Sequence, residues 1–202
     1  PHLDGSPPAY PNDAYVVRDE AEAIRQVNEV VDQGSTVIKI YFRTPPGLIK
    51  AITDAAHKRG IPVTGHLEIT EAKHAIEAGL DGIEHITSFG LSLTPKREAE
   101  KYRQSMLADN NYRKQGRYEA WAAIDLNSAA ADSLTRFLVK KRTFVSPTLA
   151  IFEYQPGKGA IDSIKLKGFD QMMKLTSKLQ KGGVNIVVGS HGMVPYAEKG
   201  WA

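Results

Sequence analysis

Residues 34–87 read GSTVIKIYFRTPPGLIKAITDAAHKRGIPVTGHLEITEAKHAIEAGLDGIEHIT, and this stretch alternates two kinds of segment. Runs rich in Val, Ile and Thr, typical of buried strands, cover residues 36–42, 62–66 and 82–86. Segments with apolar residues at helical spacing cover residues 45–58 and 71–78, and the glycines Gly60 and Gly79 follow them. Short strands that alternate with helices predict βα units and a parallel sheet.

The same alternation continues on both sides of this stretch. Upstream, residues 18–32 have helical apolar spacing that stops before Gly34. Downstream, the predicted elements are a helix at 128–141, a strand at 143–151, a helix within 158–181 and a strand at 184–188. Three residues are predicted helix N-caps: Thr44, Thr70 and Asn127. The chain therefore has five predicted strands, and six if its opening residues 1–12 supply one.

Length and composition favour a single soluble globular domain that covers residues 1–202. The polar segment from about 93 to 126 interrupts the alternation and is predicted to be a helical insertion. The predicted fold class is α/β, a (β/α)8 TIM-type barrel. Because such a barrel takes roughly 250 residues, we expect it to be incomplete, with five or six βα units.

Charge and cysteine content limit the partners. The net charge is +3, but Lys and Arg are spread among Asp and Glu without a basic stripe, so we expect neither nucleic acid nor a membrane as partner.

The absence of cysteine excludes disulfides and thiolate metal sites, and it leaves a cytoplasmic, periplasmic or secreted location open. The chain begins at Pro1, which suggests a processed or truncated product. Exposed edges of an incomplete barrel would favour homo-oligomers.

Polar residues follow the predicted strands at their carboxyl ends, which form the active-site face of a parallel α/β fold. They are Lys39 and Tyr41, His66 and Glu68, Glu84 and His85, Ser146 and Thr148, and Ser190 and His191. Histidines on successive strands could converge on a zinc, manganese, iron or nickel ion, or could be satisfied polar groups of the barrel mouth. The other histidines, His2, His57 and His74, are expected to be structural or solvated.

Lys39 is unusual because it lies inside an apolar strand. A buried ammonium there would cost several kcal/mol unless it were paired or chemically changed. The plain alternative is an ion pair with a strand-end carboxylate, either Glu84 or Glu68.

Four segments resemble the amidohydrolase superfamily, in particular its branch of imidazolonepropionase-like enzymes and Xaa-Pro dipeptidases. They are Val37-Ile-Lys-Ile-Tyr41, Ala55-Ala-His-Lys-Arg-Gly60, Val63-Thr-Gly-His66 and Ala78-Gly-Leu-Asp-Gly-Ile-Glu-His85. The similarity is strong from about Gly34 to Thr87 and weaker through Thr143–Thr148 to Val184–His191. The Ile-Glu-His element, placed after a Gly-His strand, is the more specific signal.

The resemblance implies a (β/α)8 barrel with one or two divalent ions, most often zinc, at its mouth. In that family the lysine that Lys39 matches is often carboxylated and bridges two metals, and the histidines that His66 and His85 match ligate the second metal. A metal-bound hydroxide would then attack an amide or ester carbonyl. Tyr41 is placed to bind substrate, although the match for that role is loose.

The sequence departs from the family pattern in two places. The His-x-His pair of the first strand has no counterpart, so we expect the first strands to be missing from this chain. The last strand usually ends in Gly-Thr-Asp, whose Asp shuttles the proton, whereas this chain has Gly189-Ser-His191. His191 is therefore the candidate catalytic base, with a structural role in the turn as the alternative.

These features together predict a metal-dependent hydrolase that acts on amide bonds of a small-molecule substrate, a dipeptide or a cyclic amide. The chain would form most of the catalytic barrel and would be weak or inactive by itself. The alternative is a non-catalytic barrel remnant that serves as a binding or scaffold domain. A phosphate-binding barrel is disfavoured, because Gly182-Gly183 precedes the last strand instead of following it.

Overall fold

The computed structural model describes residues 2–153 and 161–189, and an all-parallel sheet of six strands lies at its centre. The strands are β1 (His2–Asp4), β2 (Ala14–Val16), β3 (Ile38–Ile40), β4 (Val63–His66), β5 (Gly82–Glu84) and β6 (Phe144–Ser146). Their order across the sheet is β2-β1-β3-β4-β5-β6. The parallel α/β prediction is therefore confirmed.

Helices connect and surround these strands. The α-helices are α1 (Glu20–Asp32), α2 (Pro46–Lys58), α3 (Ala72–Glu77), α4 (Gly90–Leu93), α5 (Lys96–Ala108), α6 (Arg113–Ala122), α7 (Ala129–Lys141) and α8 (Ser163–Lys181). Short 3-10 turns cover Ile86–Phe89, Asn110–Tyr112 and Leu149–Phe152. Among residues 2–153 and 161–189, no helix combines the length and the apolar character that crossing a membrane requires.

Side chains along each strand point alternately to two faces of the sheet, one covered by the apolar core and the other carrying the candidate site. Ile38, Ile40 and Ile83 are buried in the main core with the apolar faces of the helices. Successive strand residues point to opposite faces. Lys39 and Glu84 accordingly lie on the other face of the sheet, where they form an ion pair. This face, which would line the interior of a complete barrel, is polar.

Glycines end three helices as the sequence predicts. Gly34, Gly60 and Gly79 follow α1, α2 and α3 with φ angles of 97°, 71° and 112°, in the left-handed region that favours glycine. Gly79 is also closely packed, because a Cβ there would lie 2.7 Å from Oγ1 of Thr53.

The three predicted N-caps are wrong. Pro45 takes the cap position of α2 with an extended backbone, because the residue before a proline is disfavoured in the helical region, so Thr44 lies one residue too early. The caps of α3 and α7 are instead Glu71 and Ser128, one residue after Thr70 and Asn127, and neither makes a side-chain cap hydrogen bond.

Two predicted strands are shorter than expected. The strand at 143–151 stops at Ser146, because Thr148 adopts a left-handed backbone with φ 46° and starts a 3-10 turn. Residues 184–188 contribute a single parallel bridge, Val145 to Ile186, instead of a strand. The opening residues do supply a strand, β1, and they are followed by a second short strand, β2, which the sequence pattern does not predict.

The segment after β5 is helical and lies close to the strand ends. Helix α6 packs against α8. A second apolar cluster joins α5 to the carboxyl end of β3, and it contains Ala9, Phe42, Leu91, Ala99, Tyr102 and Met106. These contacts bring polar side chains of α5 and α6 to the strand ends.

Candidate functional site

Lys39 on β3 and Glu84 on β5 face each other across the intervening strand β4. The Lys39 Nζ and the Glu84 Oε2 are 2.7 Å apart, with both side chains about a quarter to a third exposed. The hydroxyl of Thr64, which is in register with Lys39, donates to the other Glu84 oxygen at 2.9 Å. Of the two carboxylates that the sequence offered as a partner for Lys39, the structure selects Glu84.

His66 and His85 lie side by side at the ends of β4 and β5. Their ring centroids are 4.5 Å apart in an edge-to-face arrangement, and both residues are 5% exposed. His66 Nε2 is 3.0 Å from Glu68 Oε1, while His66 Nδ1 is buried and has no hydrogen-bond partner. Burial lowers the pKa of His66 below its usual value, so the imidazole is neutral and able to accept a ligand bond.

The backbone of His85 is strained. Its φ of 65° and ψ of 126° lie outside the regions that side-chain-bearing residues prefer, at a cost of about 1–3 kcal/mol. The ring is held by Thr148, whose Oγ1 is 2.5 Å from His85 Nδ1. Strain of this kind is found where the surrounding structure fixes a side chain in one position.

Glu68 connects the histidine pair to the inserted helices. Its carboxylate accepts hydrogen bonds from Tyr102 of α5 and from Arg117 of α6, in addition to its contact with His66. The Glu68 side chain is 1% exposed. Burial would raise the pKa of Glu68, but the charge of Arg117 and the hydrogen bond of His66 outweigh it, and the pKa falls to about 2. Glu68 is therefore a buried, fully ionised carboxylate.

Tyr41 and His2 form an aromatic wall beside His66. The Tyr41 ring lies 4.8 Å from the His66 ring and 4.4 Å from the His2 ring, and its hydroxyl accepts a hydrogen bond from Arg113 at 3.2 Å. Burial, together with the positive charge of Lys39, lowers the pKa of His2 to about 4. Like His66 Nδ1, the buried Nε2 of His2 has no hydrogen-bond partner.

The structure thus brings four predicted site residues, Lys39, Tyr41, His66 and His85, to one end of the sheet. The fifth, His191, lies outside the described residues. His2 was expected to be structural or solvated, and its ring packs against Tyr41. The sequence did not indicate that Tyr102, Arg113 and Arg117 contact these residues. The only sequence signal for the arginines was their i, i+4 spacing in a polar segment, which is also the pattern of an ordinary solvated helix face.

The described side chains at this end of the sheet provide some of the ligands that a divalent metal ion needs. Two buried imidazoles in contact, one with a ring nitrogen that lacks a hydrogen-bond partner, are of the ligand type that zinc and similar ions prefer. Lys39 is an ammonium held by Glu84, and it would become an oxygen ligand only after carboxylation. In residues 2–153 and 161–189, no group of three or more His, Asp or Glu is arranged to hold a metal. Among the described residues, His66 and His85 are therefore the side chains that could hold a metal ion, and Lys39 could join them only after carboxylation.

Comparison with known proteins identifies solved structures that have a similar fold. No protein-family model and no curated protein matches the sequence. Solved structures do match. One of them is a Xaa-Pro dipeptidase, with 21% identity and a TM-score of 0.55 over 89% of this chain and 40% of that one. This chain has the fold of a partial amidohydrolase barrel. A bottromycin amidohydrolase also matches, with a TM-score of 0.64 and 18% identity over 97% of this chain and 46% of that one. The A. niger ochratoxinase matches with a TM-score of 0.55 and 17% identity over 93% of this chain and 39% of that one.

The partial barrel spans about 40% of the length of the Xaa-Pro dipeptidase that it matches. The resemblance that the sequence motifs indicated is confirmed at the level of the fold, and so is the prediction of an incomplete TIM-type barrel.

Proposed function

We propose that the partial barrel is part of a metal-dependent hydrolase that acts on amide bonds of small molecules, a dipeptide or a cyclic amide. The observation that carries this proposal is the contact between the buried imidazoles of His66 and His85, with the His66 Nδ1 atom unpartnered. Metal dependence is general among amidohydrolase-type proteins. The amide substrate follows from the sequence resemblance.

In this proposal His66 and His85 hold a divalent ion, for which zinc is the first choice, and carboxylated Lys39 supplies an oxygen ligand. Such an ion polarises a carbonyl and lowers the pKa of water. Carboxylation turns Lys39 from a cation into an anion, so its ion pair with Glu84 would break. Thr64 would then remain as the hydrogen-bond partner of that carboxylate.

The neighbours of the two imidazoles orient them. Glu68 fixes His66 through Nε2, and Thr148 fixes His85 through Nδ1, so each ring is held in one orientation by a hydrogen bond. Arg117 balances the charge of Glu68, which keeps this support close to neutral. The distance of 4.8 Å between the Tyr41 and His66 rings supports Tyr41 as the substrate-binding residue of this proposal. His191 stays a proposal as the proton-transfer residue.

A second candidate function is that of a non-catalytic binding or scaffold domain. The observation that favours it is the Lys39–Glu84 ion pair, with its 2.7 Å contact and the supporting hydrogen bond of Thr64. An unmodified lysine satisfied in this way needs no metal. The two candidates therefore differ in the chemical state of Lys39.

Metal analysis separates the two candidates. The chain is purified without chelator in the presence of bicarbonate, reconstituted with Zn²⁺ or Mn²⁺, desalted and analysed by inductively coupled plasma mass spectrometry. We expect a substoichiometric to stoichiometric metal content that is lost in His66→Ala and in His85→Ala. The control is His74→Ala, which removes an exposed imidazole from helix α3. Wild-type protein that stays metal-free after reconstitution would refute the hydrolase proposal.

The state of Lys39 has its own measurement. After exchange with carbon-13 bicarbonate and metal, we expect a carbamate resonance in the carbon-13 NMR spectrum, absent from Lys39→Arg. A spectrum without that resonance, together with metal-free protein, would favour the scaffold. We also expect the 202-residue chain to be a poor catalyst by itself. Robust amide hydrolysis by this chain alone would show that a His-x-His strand is dispensable.

A further inference from the structure

Three buried hydrogen-bond donors line one small cavity beside the Glu68–Arg117 ion pair. The donors are Nε of Arg117, Nε1 of Trp121 and Oγ1 of Thr87, and none of them has a hydrogen-bond partner in the described part of the chain. The cavity has a volume of about 10 Å³, which is about the space of one small particle. Its other lining residues are Gly90, Tyr102 and Ala120. Because buried donors without a partner are rare and costly, three of them around one cavity indicate a ligand site.

Gly90, the first residue of α4, leaves room for this cavity. Its φ of −51° and ψ of −53° are ordinary helical values, so the backbone does not require glycine at this position. A Cβ on Gly90 would lie 3.2 Å from Nε1 of Trp121. The space beside the indole N–H therefore depends on the absence of a side chain at residue 90.

The charges near the cavity favour an anion. Arg117 is paired with Glu68, and in residues 2–153 and 161–189 no ion pair includes Arg113, which lies one turn earlier on α6. Burial and the charge of Arg117 lower the pKa of Arg113 to about 10, so both guanidinium groups are charged at neutral pH. These three side chains carry two positive charges and one negative charge, and one monovalent anion would balance them.

We propose that Arg117, Trp121 and Thr87 bind one small monovalent anion, such as chloride, inside the protein. The N–H groups of Arg117 Nε and Trp121 Nε1 can only donate, which suits an anion, whereas a water molecule also needs acceptors for its two hydrogens. A sulfate or phosphate ion is too large for a cavity of about 10 Å³. This site is separate from the histidine pair and does not rest on the proposed hydrolase function.

The anion joins the inserted helix α6 to the barrel. Arg117 donates to Glu68 through Nη2, so the anion at Nε holds the other side of the same guanidinium. Trp121 also lies on α6, whereas Thr87 belongs to the 3-10 turn that follows β5. A ligand that binds only the folded chain stabilises it, so the site predicts that stability depends on chloride.

The first experiment is urea denaturation at pH 7 with chelator present, followed by far-ultraviolet circular dichroism. Chloride replaces gluconate at constant ionic strength. For a dissociation constant of about 10 mM, we expect about 100 mM chloride to raise the folding equilibrium constant about tenfold, with saturation. Gly90→Ala and Thr87→Val should each reduce this effect to less than about twofold. Gly47→Ala, the same change at a helical glycine in open space, should keep it.

The second experiment locates the anion in crystals grown in bromide. We expect an anomalous-scattering peak within hydrogen-bond distance of Arg117 Nε and Trp121 Nε1, absent from Gly90→Ala. A water molecule at this position without an anomalous signal overturns the choice of an anion. Wild-type stability that does not depend on chloride, or an equal dependence in Thr87→Val, overturns the site. Thr87→Val keeps the test decisive if Gly90→Ala does not fold, and the chelator makes the result independent of the metal analysis.

Discussion

The charge on Glu68 offers a sharp test of how the inserted helices are held to the barrel. Replacing Glu68 by Gln keeps the shape of the side chain but leaves the Arg117 guanidinium buried without a counter-charge. Removing one partner of a buried pair costs about 3–5 kcal/mol. The pKa of Glu68 gives a similar figure, since a fall from 4.5 to about 2 corresponds to about 3 kcal/mol at about 1.4 kcal/mol per unit. The two figures describe one interaction, and they are not summed.

The assay is urea denaturation at pH 7 with chelator present, followed by tryptophan fluorescence. Trp121 lies on the same helix as Arg117 and is 1% exposed. We expect Glu68→Gln to lower the free energy of unfolding by about 3 kcal/mol. Glu98→Gln, an exposed change on α5, should stay within about 0.5 kcal/mol of wild type. The double variant with Arg117→Met should recover much of the loss, because no unpaired charge remains.

The pH dependence supplies a second readout. The pKa of Glu68 is lower in the folded chain than in the unfolded chain, so its ionisation stabilises the fold fully above about pH 4.5. That stability is lost as the pH falls from 4.5 towards 2, and this part of the wild-type slope should be missing in Glu68→Gln. A loss below about 1 kcal/mol at pH 7, with wild-type pH dependence retained, would refute this account of the Glu68–Arg117 pair.

Three further changes test the fold and the site by the same denaturation assay. Gly79→Ala should lower the free energy of unfolding by about 1–3 kcal/mol, because φ is 112° and the new Cβ would meet Thr53. Gly47→Ala lies in open space within α2 and should raise the free energy of unfolding by up to about 1 kcal/mol. A stable Gly79→Ala protein would contradict the left-handed helix end. Arg142→Gly should stabilise by about 1 kcal/mol, since Arg142 ends α7 with φ 56°, and no gain would mean that the arginine side chain makes a compensating contact. Tyr102→Phe should lower stability by about 1.5–3 kcal/mol, because its buried hydroxyl donates to a carboxylate, and a neutral result would argue against that hydrogen bond.

The parts of the fold that the sequence predicts well depend on local chemistry. Helix ends at Gly34, Gly60 and Gly79 follow from the backbone freedom of glycine, which no tertiary contact needs to supply. The three central strands follow from apolar, β-branched runs. The N-caps were harder to predict, because several residues near the start of each helix could cap it. At α2 the backbone restriction on the residue before Pro46 moved the cap by one residue, from Thr44 to Pro45.

The parts of the site that the sequence does not predict depend on contacts between distant residues. Glu84 as the partner of Lys39 required knowing that both strands flank β4. Arg117 is 49 residues from Glu68 in sequence, and nothing in the local pattern of α6 distinguishes it from a solvated lysine or arginine. His2 lies on a three-residue strand whose pairing partners lie far along the chain or in a second short strand.

The backbone at His85 has a consequence for directed evolution of this chain. With φ at 65°, glycine is the residue that relieves the backbone strain there, at a gain of about 1–3 kcal/mol. The same replacement deletes a buried ring that contacts His66 and is held by Thr148, at a cost of about 2–5 kcal/mol. Backbone strain and side-chain packing therefore oppose each other at this one position, and a library selected for thermal tolerance should keep His85.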